Sequence, residues 1–315
     1  MKPFIYLILW FLRAKFAGRK RPLQTVLFVS NQCNLKCRHC CVYRDNNLYI
    51  KTFEQIKEEL QYSYDLGARF VDFEGGEPFL WNENGKNIND LIRLAKQIGF
   101  FSTTVTTNAQ QPFNQCDADS IWVSLDGIGT YHDQIRGEGT FDRLVENLAQ
   151  NNHPKISINM VINALNYKSV EETIVWASKQ PNIQSISLNF HTPYPETEDL
   201  FLDWKLRTET IDKIIQLKKA NFPVMNSVSG LKLMKGNRFK KYCWLTNFIL
   251  PDGTRLNECQ GKTQNVCDKC GFCMAGEITS MFRFKVDTVF AALKLRMKRM
   301  RSIPHIDTST YNSAF

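Results

Sequence analysis

At 315 residues, 43 % of them apolar, the chain is long enough to bury a large core, and its composition is that of a globular protein rather than a disordered one. Its ten cysteines sit in so long a chain that metal ligation in a reducing compartment is expected instead of a secreted disulfide scaffold. The net charge of +9 comes from the two ends: residues 1–22 hold six bases and no acid, residues 281–302 hold seven bases and Asp287, and removing these from totals of 40 and 31 leaves 27 bases against 30 acids, so no nucleic-acid surface is expected.

The chain opens on an apolar run, Phe4 to Leu12, followed by Arg13, Lys15 and Arg19-Lys20-Arg21. Nine residues are too few to cross a bilayer, which takes about 20. A signal peptide is not expected, because a basic cluster follows the run and no small-residue cleavage site is clear. Residues 1–22 are therefore expected to form a basic amphipathic segment on an anionic membrane surface; the alternative is a helix packed on the domain with its charges in water.

A strand-like segment, Leu23 to Ser30, leads into Cys33, Cys37 and Cys40, spaced C-x3-C-x2-C. Three thiolates this close can hold three irons of a cubane cluster and leave one iron for a ligand that is not protein, because such clusters normally take four cysteines. Zinc and disulfides are the alternatives, and His39 lies too near to complete a zinc shell comfortably. A second strand, ending in Glu74, runs into Gly75-Gly76-Glu77-Pro78, where glycines permit close backbone approach and a carboxylate or backbone carbonyls can accept hydrogen bonds from an ammonium. Thr103 to Asn108 is a β-branched strand ending in Asn, and Ile121 to Gly127 ends in Ser124 and Asp126.

Apolar, β-branched segments fall at 24–30, 69–74, 101–106, 120–125, 156–163 and 184–190, with helical-period stretches at 53–66, 87–99, 141–151, 168–180 and 206–220. That alternation predicts an α/β fold of parallel strands with right-handed crossovers, a partial (β/α)6 barrel over residues 23–228 with its site at the C-terminal mouth. Asn163, Asn189 and His191 are expected to line the same mouth. A cysteine-rich extension follows over 229–280, with Cys243, Cys259, Cys267, Cys270 and Cys273 and a hairpin-like Leu250-Pro251-Asp252-Gly253. A basic amphipathic helix over 281–302 and a tail over 303–315 complete the chain. Cys41 and Cys116 belong to neither group and read as plain small side chains.

The three-cysteine loop, followed in order by the Gly-Gly-Glu-Pro turn and the two polar strand ends, resembles the radical S-adenosylmethionine (SAM) superfamily, with His39 where that signature carries an aromatic residue. The resemblance implies a 4Fe–4S cluster on Cys33, Cys37 and Cys40, SAM on its open iron, and reductive cleavage to a 5′-deoxyadenosyl radical. It carries SAM contacts onto His39, Gly75, Gly76, Glu77, Pro78, Asn108, Ser124, Arg136 and Asn163, with Arg136 toward the SAM carboxylate. The C-terminal cysteines resemble the twitch and SPASM extensions, which implies one auxiliary 4Fe–4S cluster on Cys243, Cys259 and Cys267 with Cys270 or Cys273 as fourth ligand; zinc is the alternative.

A weaker similarity, at Phe222 to Ser227, Gly230-Leu231 and Lys235 to Asn237, is to the adenosylhopene synthase branch. It implies a lipid or isoprenoid substrate met at the inner face of the membrane. A SPASM-type peptide maturase is the alternative, set back by the short stretch before the first strand, and haem-pathway tailoring is a third. A non-catalytic Fe–S redox sensor is the reading from another class. A one-electron donor such as flavodoxin or ferredoxin and a cytoplasmic location are implied by the reduced cluster.

Overall fold

Strands and helices alternate where the hydrophobic periods place them. The computed structural model describes residues 3–40, 42 and 47–294. Six strands, β1 (Gln24–Phe28), β2 (Phe70–Glu74), β3 (Ser102–Thr107), β4 (Ser120–Ser124), β5 (Ile156–Ile162) and β6 (Ile183–Phe190), pair in parallel in chain order. Helices α1 (Pro3–Phe16), α2 (Phe53–Leu66), α3 (Ile88–Ile98), α4 (Thr130–Arg136), α5 (Thr140–Ala149), α6 (Val170–Lys179) and α7 (Trp204–Lys219) precede or connect them. Local chemistry sets the helix ends. Thr52 and Gln55 close a capping box at the start of α2, Asn87 and Asp90 do the same for α3, and Gly67 ends α2 at φ +120°, which favours glycine.

The period of two along each strand divides the sheet into two unlike faces. Leu27, Phe73, Val105, Ile121, Val123, Ile158, Met160 and Leu188 face the helices and are fully buried. Each such side chain contributes roughly 1.5–3 kcal/mol of burial. The opposite face, which lines the barrel lumen, carries Asp72, Glu74, Thr104, Thr106, Ser124, Asn159, Ser187 and Asn189, all partly accessible.

The cysteine-rich extension joins this sheet. β7 (Thr246–Ile249) pairs in parallel with β1 on the edge away from β2, and β8 (Arg255–Leu256) returns antiparallel, which gives the order β6-β5-β4-β3-β2-β1-β7-β8. The turn at 250–253 is the expected hairpin: Leu250 N–H donates to Thr254 O at 2.9 Å and Gly253 sits at φ +89°. The buried Lys51 ammonium ties this hairpin to the barrel by donating to the carbonyls of Leu250 and Pro251.

Helices α8 (Val228–Met234), α9 (Gln260–Thr263), α10 (Cys273–Phe282) and α11 (Val286–Lys294) complete the described chain. The single amphipathic helix expected from residue 281 is instead broken: α10 ends at Phe282, and Phe284 takes φ +55° as the Arg283 and Phe284 N–H groups turn back onto the last carbonyls of α10. The bases Arg296, Lys298, Arg299 and Arg301, the tail and Cys41 lie outside the described residues.

Glu277 on α10 accepts from the Ser227 N–H at 2.8 Å, and burial raises its carboxyl from 4.5 to about 7 against that hydrogen bond. A raised folded-state value means stability that is complete below about pH 4.5 and is lost as pH rises through about 7. Glu277→Gln keeps the acceptor and removes the titration. Its stability relative to the native chain is expected to improve between pH 5 and pH 8 by at most about 3 kcal/mol. Urea melts of the metal-free protein at the two pH values check this, and a pH-independent difference would refute it.

Candidate active site at the barrel mouth

The loop after β1 and the loop after β2 form one unit at the C-terminal ends of the strands. Gly76 N–H donates to Ser30 O and Glu77 N–H to Gln32 O, each at 2.8 Å. A Cβ at Gly76 would stand 1.9 Å from Gln32 O, and one at Gly75 would stand 2.4 Å from Ser30 O. Only glycine permits that approach. Pro78 starts a short turn behind this contact, with Glu77 as its cap.

Glu77 is 1 % exposed, and its carboxylate faces inward. It accepts from the Thr107 hydroxyl at 2.8 Å, the Asn108 N–H at 2.7 Å and the Phe79 N–H at 3.2 Å. Burial nevertheless raises it to about 7. Of the two acceptors expected for an ammonium at this turn, the carboxylate is therefore committed to bracing β3, and the backbone carbonyls are the ones left for a ligand. The Asn108 amide donates to Asn34 Oδ1 at 2.8 Å and lies 3.7 Å from Cys33 Sγ.

The Cys37 thiol is buried, and those of Cys33 and Cys40 are partly accessible. Burial raises Cys33, and raises Cys37 to about 11. One buried cation opposes this. Arg136 reaches Cys37 Sγ at 3.8 Å and donates through Nε to Asp126 Oδ2 at 2.7 Å. Arg136 is thus no surface residue; burial would lower it, but Asp126 and the thiols hold it well above its usual value. Asp126 is fully buried and is kept below the usual carboxylate range by Arg136 despite that burial. Its carboxylate partners Arg136, accepts from the Val161 N–H at 2.9 Å and lies 3.8 Å from His39 Nε2. His39 is lowered to about 4 by burial, and its Nδ1 has no partner among the described residues.

Ser124 ends β4 on the lumen face. Asn163 follows β5; its Oδ1 accepts from Leu165 N–H, while its buried Nδ2 has no partner. His191 Nε2 is held by Thr197, and its ring lies 6.5 Å from that of His39. Asn189 spans to the extension, accepting from Cys273 N–H at 2.9 Å and donating to Asn159 Oδ1.

Four of the extension's five cysteines act on one another electrostatically. Cys243 and Cys259 share a hydrogen bond that lowers Cys259 to about 6 and raises Cys243, with Cys270 and Cys267 close enough to raise Cys243 further. Cys273 is fully buried, with Arg207, Glu277 and Cys270 all close enough to act on its thiol. Arg207 was invisible to sequence reasoning, since a basic residue on a helix reads as a solvated one. It is 0 % exposed, donates to Cys270 O at 3.0 Å, and leaves Nε and Nη1 without partners. A buried guanidinium with free donors beside thiols fits an anionic thiolate-ligated group there. Arg136 beside Cys37 makes the same case at the mouth. Cys116 sits in the main apolar core, as a plain small side chain would.

Known proteins resemble this chain in sequence and in fold. The family model of the Radical SAM superfamily matches residues 27–177. GTP 3′,8-cyclase of Haemophilus influenzae is 27 % identical over 175 residues, 49 % of this chain and 50 % of that protein. Mycofactocin maturase MftC of Mycolicibacterium smegmatis is 26 % identical over 174 residues, 51 % of this chain and 43 % of that protein. The chain thus spans about half the length of these curated relatives. SuiB of Streptococcus suis, solved with S-adenosylmethionine bound, has a TM-score of 0.61 at 18 % identity, covering 83 % of this chain and 67 % of SuiB. With its precursor peptide SuiA bound, SuiB gives a TM-score of 0.58 at 19 % identity over 80 % of this chain and 64 % of SuiB. At that identity the likeness is one of fold.

Gly76→Ala tests the contact between the two loops. The 1.9 Å clash is with backbone, so the loops must part. The variant is expected to lose about 1–3 kcal/mol of stability, and its first cysteine loop to take up less iron and sulfide. Thermal melts and iron analysis of a chain that also lacks Cys243 and Cys259 check this; normal loading would refute it.

Proposed function

We propose that this chain, a member of the radical SAM superfamily, cleaves SAM at the barrel mouth and directs the radical at a polar, peptide-type substrate held in the lumen. The single observation that supports the reading is the stitched pair of loops after β1 and β2, which holds the cysteine loop against the glycine turn, with Arg136 beside Cys37. A 4Fe–4S cluster with SAM bound supplies a one-electron cleavage of SAM to a 5′-deoxyadenosyl radical, for which a one-electron donor is required.

The chain's own residues do the rest. Cys33, Cys37 and Cys40 would hold the cluster, and Arg136 offsets their negative charge. Backbone carbonyls at Gly75 and Gly76, the Asn108 amide and the Ser124 hydroxyl would receive SAM, with Asn163 and His39 at the rim. Cys243, Cys259, Cys267 and Cys270 would hold a second cluster, and Arg207 would balance it. Cys273 is left as a buried side chain.

The lumen wall favours a polar substrate. Asp72 and Glu74 stand on it with Thr106 at 3.3 and 3.5 Å, and burial raises both carboxyls, Glu74 to about 7. Thr104 with Ser120, and Asn159 with Asn189, continue it around the barrel. An apolar isoprenoid skeleton would strip water from these groups without replacing its hydrogen bonds. SuiB has been solved with a precursor peptide, and MftC is a maturase, which supports a peptide. The lipid or isoprenoid reading is favoured by one observation, the exposed apolar face of α1. The sensor reading gives no use to the glycine turn and the polar strand ends beside the cluster loop.

Anaerobic reconstitution followed by dithionite and SAM should release 5′-deoxyadenosine, detected by mass spectrometry. Cys37→Ala should abolish it, and retained cleavage would overturn the assignment. Cys270→Ser should remove about half of the bound iron, because one of two four-iron sites is lost. Cys273→Ser should retain it, and equal iron loss in both variants would refute the choice of fourth ligand.

A further inference from the structure

Helix α1 is apolar on both sides. Inward, Trp10 packs with Leu245, Ile278 and Phe282, joined by Tyr6 and Phe11. Outward, Phe4, Ile5, Ile8, Leu9, Leu12 and Phe16 form a stripe at helical spacing and are 37–68 % exposed. Phe16 stacks on Phe284, itself 56 % exposed, so the stripe continues onto the turn after α10. Large contiguous apolar surface of this kind marks an interaction site.

A cavity of about 150 Å³ opens beside the stripe, lined by Leu9 and Tyr6 and by four arginines, Arg13, Arg19, Arg21 and Arg69. Arg69 is anchored: it donates to Tyr64 O and Ala68 O and lies over the rings of Tyr64 and Tyr6. No hydrogen bond or ion pair engages the side chains of Arg13, Arg19 or Arg21 among the described residues. The one carboxylate in the wall, Asp65, accepts from Gln61 and pairs with none of them. Four like charges around one small cavity repel unless an anion sits between them.

We propose that α1 seats the protein on an anionic phospholipid surface, with one headgroup phosphate taken between Arg13, Arg19, Arg21 and Arg69 and the stripe sunk into the acyl boundary. The pairing of features selects this occupant. A free phosphate would satisfy the arginines and leave the stripe in water. A second copy packed on the stripe by two-fold symmetry would bring two arginine clusters together. A lipid supplies both the anion and the apolar phase. The docking face is remote from the lumen chemistry in its residues, so it stands or falls separately from the enzyme reading.

The test is flotation of the full-length protein with vesicles of phosphatidylcholine alone and of phosphatidylcholine with one-third phosphatidylglycerol. Binding to the anionic vesicles should be about tenfold or more stronger and should fall with salt. Arg19→Gln with Arg21→Gln should remove about tenfold of that preference while leaving binding to neutral vesicles unchanged. Ile8→Glu with Leu12→Glu, both on the solvent side, should abolish binding to either vesicle. Thermal melts and 5′-deoxyadenosine release confirm that the variants remain folded. Inorganic phosphate at matched ionic strength should not displace the protein. Equal weak binding to both vesicles, full displacement by inorganic phosphate, or a concentration-dependent dimer that does not float would each overturn the proposal.

Discussion

Everything at the barrel mouth depends on how closely the segment after β2 approaches the loop after β1. Two backbone hydrogen bonds cross that gap, and they form only because Gly75 and Gly76 lack the Cβ that would strike Ser30 O and Gln32 O. The contact fixes the cysteine loop relative to β2, and through the Glu77 carboxylate it reaches β3, where Thr107 and Asn108 donate. Three strand ends are thereby locked by groups that are all backbone or fully buried. A reactive species generated above such a mouth would meet the lumen at a fixed place, which is how a scaffold sets position without touching the reacting atoms.

Charge is the second constraint. Thiols taken out of water resist ionising, and burial pushes Cys33 and Cys37 upward at the mouth and Cys267 and Cys270 upward in the extension. The fold answers with one buried arginine at each: Arg136, paired with Asp126, beside Cys37, and Arg207, with two free nitrogens, beside Cys270 and Cys273. Buried guanidinium donors without partners are costly; the Arg207 plane lies over the Phe190 and Trp204 rings at 4.6 and 4.9 Å, and an anionic neighbour would answer its two remaining nitrogens. These two residues link the electrostatics of the sites to the packing of α4 and α7.

The two faces of the sheet separate stability from chemistry. The helix-facing side is aliphatic and closed, whereas the lumen side is a wall of hydroxyls, amides and two carboxylates. The chain tolerates that polar wall because the lumen is open to solvent or ligand. The extension serves both purposes, since β7 extends the sheet beside β1 while the cysteines around it gather at the other end of the same segment.

Read alone, the sequence determined the order of strands and helices, the cysteine loop and the glycine turn, because these rest on periods and spacings within a few residues of one another. The six barrel strands fall within about two residues of their hydrophobic segments, and α2 spans the stretch its pattern marks. Only the tertiary structure decided which partners the polar side chains take. Glu77 faces inward because Thr107 and Asn108 arrive from β3; Arg136 is buried because Asp126 lies behind it; Arg207 is brought from α7 to the Cys270 carbonyl. β7 enters the main sheet beside β1, more than 200 residues away in the chain. Such pairings depend on register between distant segments, which no local period encodes.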